Sequence, residues 1–259
     1  MRFKDLSFVI LTAYLISFSS SAYAKLHIII DPGHGGSDKG ANYYGIKESD
    51  ITLSVAKKLH ALITKDNKLQ SSLLRSKNNN LSLPERVSKA QEASGDLYIS
   101  IHVNANRNRS IYGPEFYFQS QLSPDKEALY LAGVENQELS DKLRIRNWEE
   151  NSWPAIKTAQ GDLRNILFDM QRISHIKKSS KFAQQLYMNW QPKRRRKSVS
   201  LRQAPFYVIS NSNMPSVLIE LGYITNKKDM RKLRSKGFQS KVVKSIYNGI
   251  KEYQKRLLL

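Results

Sequence analysis

Lys25-Leu26-His27-Ile28-Ile29-Ile30-Asp31-Pro32-Gly33-His34-Gly35-Gly36 is the stretch that decides the fold. Its first six residues read as a short, buried, β-branched strand. Pro32 offers no N–H and the glycines tolerate φ > 0, so the chain must stop and turn there. The turn leaves His34 at the open end of a sheet with little bulk around it. That is where α/β folds place ligands.

Outward from that turn, strands and helices alternate. Gly45-Ile46-Lys47-Glu48 is expected to open a helix whose apolar stripe is Ile51, Val55, Leu59, Leu62 and Ile63. Residues 69–75 read as a second strand, Asn78-Asn79-Asn80 as a loop, and 83–93 as a short helix with Pro84 in its first turn. Residues 96–105 form a strongly apolar strand with His102 near its end, and 113–119 continue as another. From Ser123-Pro124 a charged helix is expected to about residue 143, then a looser stretch through Pro154. Leu163, Leu167, Met170, Phe182 and Leu186 mark a long helix over 161–190. Residues 204–209 and 216–223 read as two more buried strands, and Phe238, Val242, Ile246, Ile250 and Tyr253 as the stripe of a last helix. The pattern predicts one three-layer α/β domain, residues 25–259, with a twisted, mostly parallel or mixed sheet flanked by helices. No internal repeat, flexible linker or second domain is visible.

Residues 1–24 stand apart. Arg2 and Lys4 precede an apolar run from Phe8 to Phe18, and Ala22-Tyr23-Ala24 is an A-x-A cleavage site, so a removed signal peptide and an exported, periplasmic protein are expected. The apolar run is too short to span a bilayer comfortably, and no second long apolar segment follows. There is no cysteine, which excludes disulfides and thiolate chemistry and leaves any metal to His and carboxylates. The formal net charge is +20, of which the leader carries +1, so the remainder will attract polyanions. Behind a signal peptide those are cell-wall carboxylates or phosphate-bearing envelope polymers. Lys193-Arg194-Arg195-Arg196-Lys197 is the densest basic run and reads equally well as a solvated loop. Residues 123–160 run against this trend, with seven acids and five bases.

Three metal-ligand types sit at the ends of core elements: His34 after the first strand, Glu48 at a helix start and His102 at a strand tail. Two histidines, one carboxylate and an open fourth position form the pattern of catalytic zinc. Taken singly, each has an ordinary role as well, since strand-end histidines make structural hydrogen bonds and Glu48 suits a helix dipole. Glu220, inside Val217-Leu218-Ile219-Glu220-Leu221-Gly222, is harder to explain by structure, because a carboxylate is expensive to bury without a partner. Beside a metal it suits a general base. His27, His60 and His175 are assigned structural or surface roles.

At this point the chain resembles the zinc-dependent N-acetylmuramoyl-L-alanine amidases of the division type. The blocks are Asp31 through Gly36, Gly45 through Glu48, Ser100-Ile101-His102-Val103-Asn104-Ala105, Ala204 through Val208, and Met214 through Asn226. The resemblance implies zinc on His34, Glu48 and His102, with Glu220 as catalytic base and acid. It implies hydrolysis of the peptidoglycan amide joining N-acetylmuramic acid to L-alanine of the stem peptide, for wall remodelling and daughter-cell separation. Zinc would activate water and polarise the carbonyl, while Glu220 would take the proton and return it to the leaving nitrogen. Asp31 would orient a zinc histidine from behind, or cap its own turn. Residues 123–160 lie where division-type members carry a regulatory helix that an activator protein displaces. Glu135 and Glu138 are the candidates for an autoinhibitory contact with the metal. A wall-targeting domain or wall-binding repeat is not expected, so localisation falls to the basic surface, an activator or both.

Three other readings compete. A binding protein that kept the fold would be free to lose His34, Glu48, His102 or Glu220. A nucleic-acid binder would suit the charge, yet the leader and the lack of a recognition motif oppose it. A zinc peptidase or deacetylase of another class satisfies the four residues but not the ordered blocks.

Overall fold

The apolar run after Lys25 becomes the hub of a sheet in the computed structural model, which describes residues 25–120, 125–137, 161–190 and 199–257. β1 (Leu26–Pro32) pairs in parallel with β4 (Leu69–Leu73) on one side and with β5 (Leu97–Asn104) on the other. β5 pairs in parallel with β8 (Ser216–Tyr223). β6 (Glu115–Phe118) then runs antiparallel to β8, and β7 (Ser200–Gln203) closes the far edge parallel to β6. The sheet is therefore mixed, in the order β4-β1-β5-β8-β6-β7. β2 (Asn42–Tyr43) and β3 (Ile46–Lys47) form a separate two-stranded hairpin.

Strand residues alternate between faces, and here the two faces differ in chemistry. Ile28, Ile30, Ile99, Ile101, Val217 and Ile219 belong to the larger apolar cluster. It is covered by α1 (Glu48–Ile63), α4 (Gly161–Asn189) and α7 (Lys236–Leu257). The opposite parity carries Ile29, Tyr98, Tyr117 and Leu218 in a smaller cluster with Ala90, Ala128 and Ala132. Those alanines come from α2 (Leu83–Glu92) and α3 (Lys126–Glu135). Three layers result, as the sequence predicts. α2 starts on a capping box in which Ser82 and Glu85 satisfy each other's backbone N–H groups.

The sequence departs from the structure at four places. The strand expected over 204–209 is instead an edge strand that ends at Gln203, followed by the short helix α5 (Tyr207–Ser210). Pro205 cannot donate to a ladder, so pairing stops there and the apolar residues beyond it pack beneath the sheet. The hairpin β2–β3 and the basic helix α6 (Lys227–Arg234) have no apolar periodicity to announce them. The helix expected to reach residue 143 is interrupted at Asn136, which bonds to Pro205 O (3.1 Å) and accepts from Tyr207 N (2.9 Å), and its expected continuation over 138–143 lies outside the described residues. The leader 1–24, Glu138 with the rest of 138–160, and the basic run 193–197 lie outside the described residues. No helix among the described residues is long and apolar enough to cross a membrane.

Candidate metal centre

The polar face of the sheet gathers Asp31, His102, Glu220 and Glu115 at neighbouring positions. His102 and Glu220 are register partners on β5 and β8, and Glu115 is the partner of Glu220 on β6. All four are buried. His34 arrives from the turn after β1 and Glu48 from the first position of α1. The hairpin β2–β3 brings Glu48 back to the turn, where its backbone N donates to Ala41 O (2.9 Å).

His34 holds a left-handed backbone, φ 57°, that only glycine adopts freely. Two arginines hold this turn in place. Arg75 donates to Pro32 O and Gly33 O (both 2.8 Å), and Arg86 to Pro32 O (3.0 Å) and His34 O (2.9 Å). Asp31 pairs with Arg86 and accepts from Tyr98 Oη at 2.5 Å. Its bearing on His34 therefore passes through Arg86 and a backbone carbonyl. Glycine at 33 is needed for another reason: a Cβ there would stand 2.5 Å from the His102 ring.

Glu48 bridges the two imidazoles, with Oε2 3.2 Å from His34 Nε2 and Oε1 3.1 Å from His102 Nδ1. Its oxygens also accept from Ala41 N and Val103 N, both at 2.8 Å. Glu135, at the last turn of α3, reaches into the same space. Its Oε2 lies 3.6 Å from His34 Nε2 and 3.7 Å from His102 Nδ1. The ligand atoms of His34, His102 and Glu135 all fall within 4.8 Å of one another. The rings of His34 and His102 meet edge to face, 5.0 Å apart.

Electrostatics shows what this cluster lacks. Burial alone would lower the His34 pKa, but Glu48, Asp38 and Glu135 outweigh it and push it up to about 11. Burial would raise Glu48, yet the two histidines hold it well below the usual carboxylate range. Burial first, then Glu48, Glu135 and Glu115, drive the Glu220 carboxyl well above that range. His34 Nε2 and Glu220 Oε2 are buried and make no hydrogen bond. Carboxylates in excess around two imidazoles, with an uncommitted ring nitrogen aimed among them, fit a divalent cation bound by nitrogen and oxygen.

Several contributors are missing from the sequence reading. Asp38 Oδ2 accepts from His34 Nδ1 at 2.8 Å, from an exposed loop that carries no signal. Arg86 occupies a stripe position between Leu83 and Ala90, and an arginine on a core-facing helix stripe is the signal that marks it. Glu115 opens the buried strand Glu115-Phe116-Tyr117-Phe118, the same anomaly that singled out Glu220. Arg202 neutralises it at 3.1 Å and also reaches Asp125 (2.7 Å) and Glu127 (3.3 Å) at the start of α3.

Fold and site together define a class, an α/β domain with a His/Glu centre at the carboxyl ends of parallel strands. The family model for N-acetylmuramoyl-L-alanine amidase matches residues 28–252, and the chain belongs to that family. It is 32% identical over 228 residues to the N-acetylmuramoyl-L-alanine amidase AmiC of Escherichia coli O6:H1. That match covers 87% of this chain and 52% of AmiC, so the chain spans about half the length of that relative. Among solved structures, the amidase from Clostridium difficile 630 superposes with a TM-score of 0.63 at 23% identity, covering 90% of this chain and 98% of that one. The CwlD amidase of Clostridioides difficile, solved in complex with the GerS lipoprotein, gives 0.56 at 22% identity, covering 89% and 99%. At these identities the two structures speak for the fold.

Proposed function

We propose that this protein is an exported, zinc-dependent amidase that hydrolyses the bond between N-acetylmuramic acid and L-alanine in peptidoglycan. The observation that carries the reading is the convergence of Glu48, Glu135, His34 and His102 beside the unpaired, buried carboxyl of Glu220. His34, Glu48 and His102 would hold the ion. When bound, zinc polarises a scissile carbonyl and lowers the pKa of water. Membership of the amidase family supports the bond class.

The chain's own residues supply the rest. Glu48 stays ionised between the imidazoles and fixes both rings. Arg75 and Arg86 lock the carbonyls of the turn, so that His34 keeps its aim. Glu220 takes a proton from the attacking water and delivers it to the departing alanine nitrogen. Its raised affinity for a proton suits the first half of that exchange, because a more basic carboxylate takes up the water proton more readily. Arg202 pairs with the neighbouring Glu115 at 3.1 Å.

In this reading Glu135 occupies the space that substrate needs, and α3 is the inhibitory part of the 123–160 segment, with Glu138 as a further candidate contact. An activator would remove it; the CwlD–GerS complex is a precedent for an amidase of this fold with a protein partner. The signal peptide and the basic surface would place the enzyme in the periplasm among anionic envelope polymers, for daughter-cell separation. The test is product analysis on purified peptidoglycan. New amino-terminal L-alanine on released stem peptides is expected; acetate, or amines elsewhere in the peptide, would overturn the assignment.

A further inference from the structure

The hairpin β2–β3 turns through Tyr44 and Gly45, both with positive φ (49° and 74°), between the paired residues Tyr43 and Ile46. A two-residue turn with both φ positive is type I′, which strongly favours Asn-Gly. A bulky aromatic in its first position works against local preference. The fold recovers little from it, since Tyr44 is 79% exposed, the most open large apolar side chain among the described residues. Where a local rule is broken with no packing gain, function is the reason to look for.

The surroundings of Tyr44 are built rather than loose. Tyr43 packs against the main core cluster, and its ring meets that of Tyr44 edge to face at 4.5 Å. The Arg109 guanidinium covers Tyr43 at 5.5 Å from the ring centroid. Arg109 is itself anchored, because its carbonyl accepts from Asn226 Nδ2 at 2.8 Å. The hairpin is rooted at the metal centre, because Lys47 of its second strand leads directly into Glu48, whose N donates to Ala41 O just before its first strand at 2.9 Å.

We infer that Tyr44, buttressed by Tyr43 and Arg109, is a stacking platform for a glycan sugar ring flanking the reacting muramyl residue. A flat aromatic ring suits the apolar face of an N-acetylhexosamine. The platform selects glycan-bearing substrate over free muramyl peptide. It rests on the amidase reading for its substrate, but its test does not require turnover.

The probe is chitotetraose, a β-1,4-linked N-acetylglucosamine tetramer, titrated by NMR into wild type, Tyr44→Asn and Tyr44→Phe. Tyr44→Asn is expected to bind about tenfold more weakly, which is about 1.4 kcal/mol, while Tyr44→Phe stays near wild type. Asn also suits the type I′ turn, so its Tm should equal or exceed wild type by up to about 4 °C. A side chain with a purely structural role would lose stability instead. In turnover, Tyr44→Asn should raise KM on polymeric substrate and leave a short muramyl peptide unaffected. Equal affinity of wild type and Tyr44→Asn for the tetramer, or no binding by wild type, would overturn the platform and leave the amidase reading standing. Tyr44-dependent binding without amide cleavage, even when Glu135→Ala uncovers the site, would sustain the platform and remove the amidase reading.

Discussion

The two faces of one sheet are built from the same strands and do opposite work. On the face covered by α1, α4 and α7, β1, β5 and β8 present isoleucine and valine, and the layer is an apolar core. One residue away, the same strands present Asp31, Ser100, His102 and Glu220 to the other face, all buried. The first face supplies hydrophobic stability. The second places like charges in a low dielectric, which opposes folding and supplies chemistry. That face also carries the smaller apolar cluster of Ile29, Tyr98 and Leu218, so the reactive groups are set apart by parity and by their place at the carboxyl ends of the strands.

The sharpest way to break the comparison is Glu220→Gln, which keeps shape and removes only the titrating group. Amide hydrolysis should fall by about 10³–10⁴-fold, near the upper range for a lost general base. Because Glu220 Oε2 makes no hydrogen bond and faces other carboxylates, Tm should hold or rise. A fold-destroying effect would mean that the carboxylate is structural. Asp31→Ala tests the supporting layer: it strands Arg86 in the interior and should cost about 3–5 kcal/mol in denaturant unfolding. A loss below 1 kcal/mol would show that the arginine finds water. On the apolar face, Ile99→Ala should cost about 2–5 kcal/mol through cavity formation, with turnover per folded molecule unchanged.

The smallest effect lies away from both faces. Tyr247 Oη and Lys251 Nζ hydrogen-bond Asp66 at 2.6 and 2.8 Å. Burial opposes ionisation of Asp66, but those two donors and the Lys68 backbone outweigh it and bring its pKa down to about 2. A carboxyl with a depressed folded pKa stabilises the fold above its unfolded value and loses that contribution as pH falls from about 4 to 2. Asp66→Asn should flatten the acid limb of the stability curve and cost about 1 kcal/mol at pH 7, because the pair is partly solvated. An unchanged acid limb would contradict it.

The sequence was most readable where one periodicity dominated. β1, β5 and β8 are dominated by apolar residues, and Glu220 is conspicuous because it interrupts Val217-Leu218-Ile219. α1 and α7 show clean stripes. Legibility failed where tertiary partners decide the outcome. β7 is an edge strand with Leu201 36% exposed, so no apolar pattern marks it, and the segment after Pro205 looks like strand because its residues are buried for other reasons. Asp38 and Arg202 act through long-range contacts that spacing cannot reveal. The left-handed turn at Tyr44 is a break in local rules that only the structure displays.

If Glu135 covers a metal centre built by other residues, as proposed above, one measurement shows it directly. Bound metal per chain and the rate of stem-peptide release from peptidoglycan would be determined together for wild type and Glu135→Ala. The account predicts equal metal content and faster release by the variant, since only the covering carboxylate is lost. Loss of metal together with loss of activity would contradict it and make Glu135 a resident ligand in place of a cover.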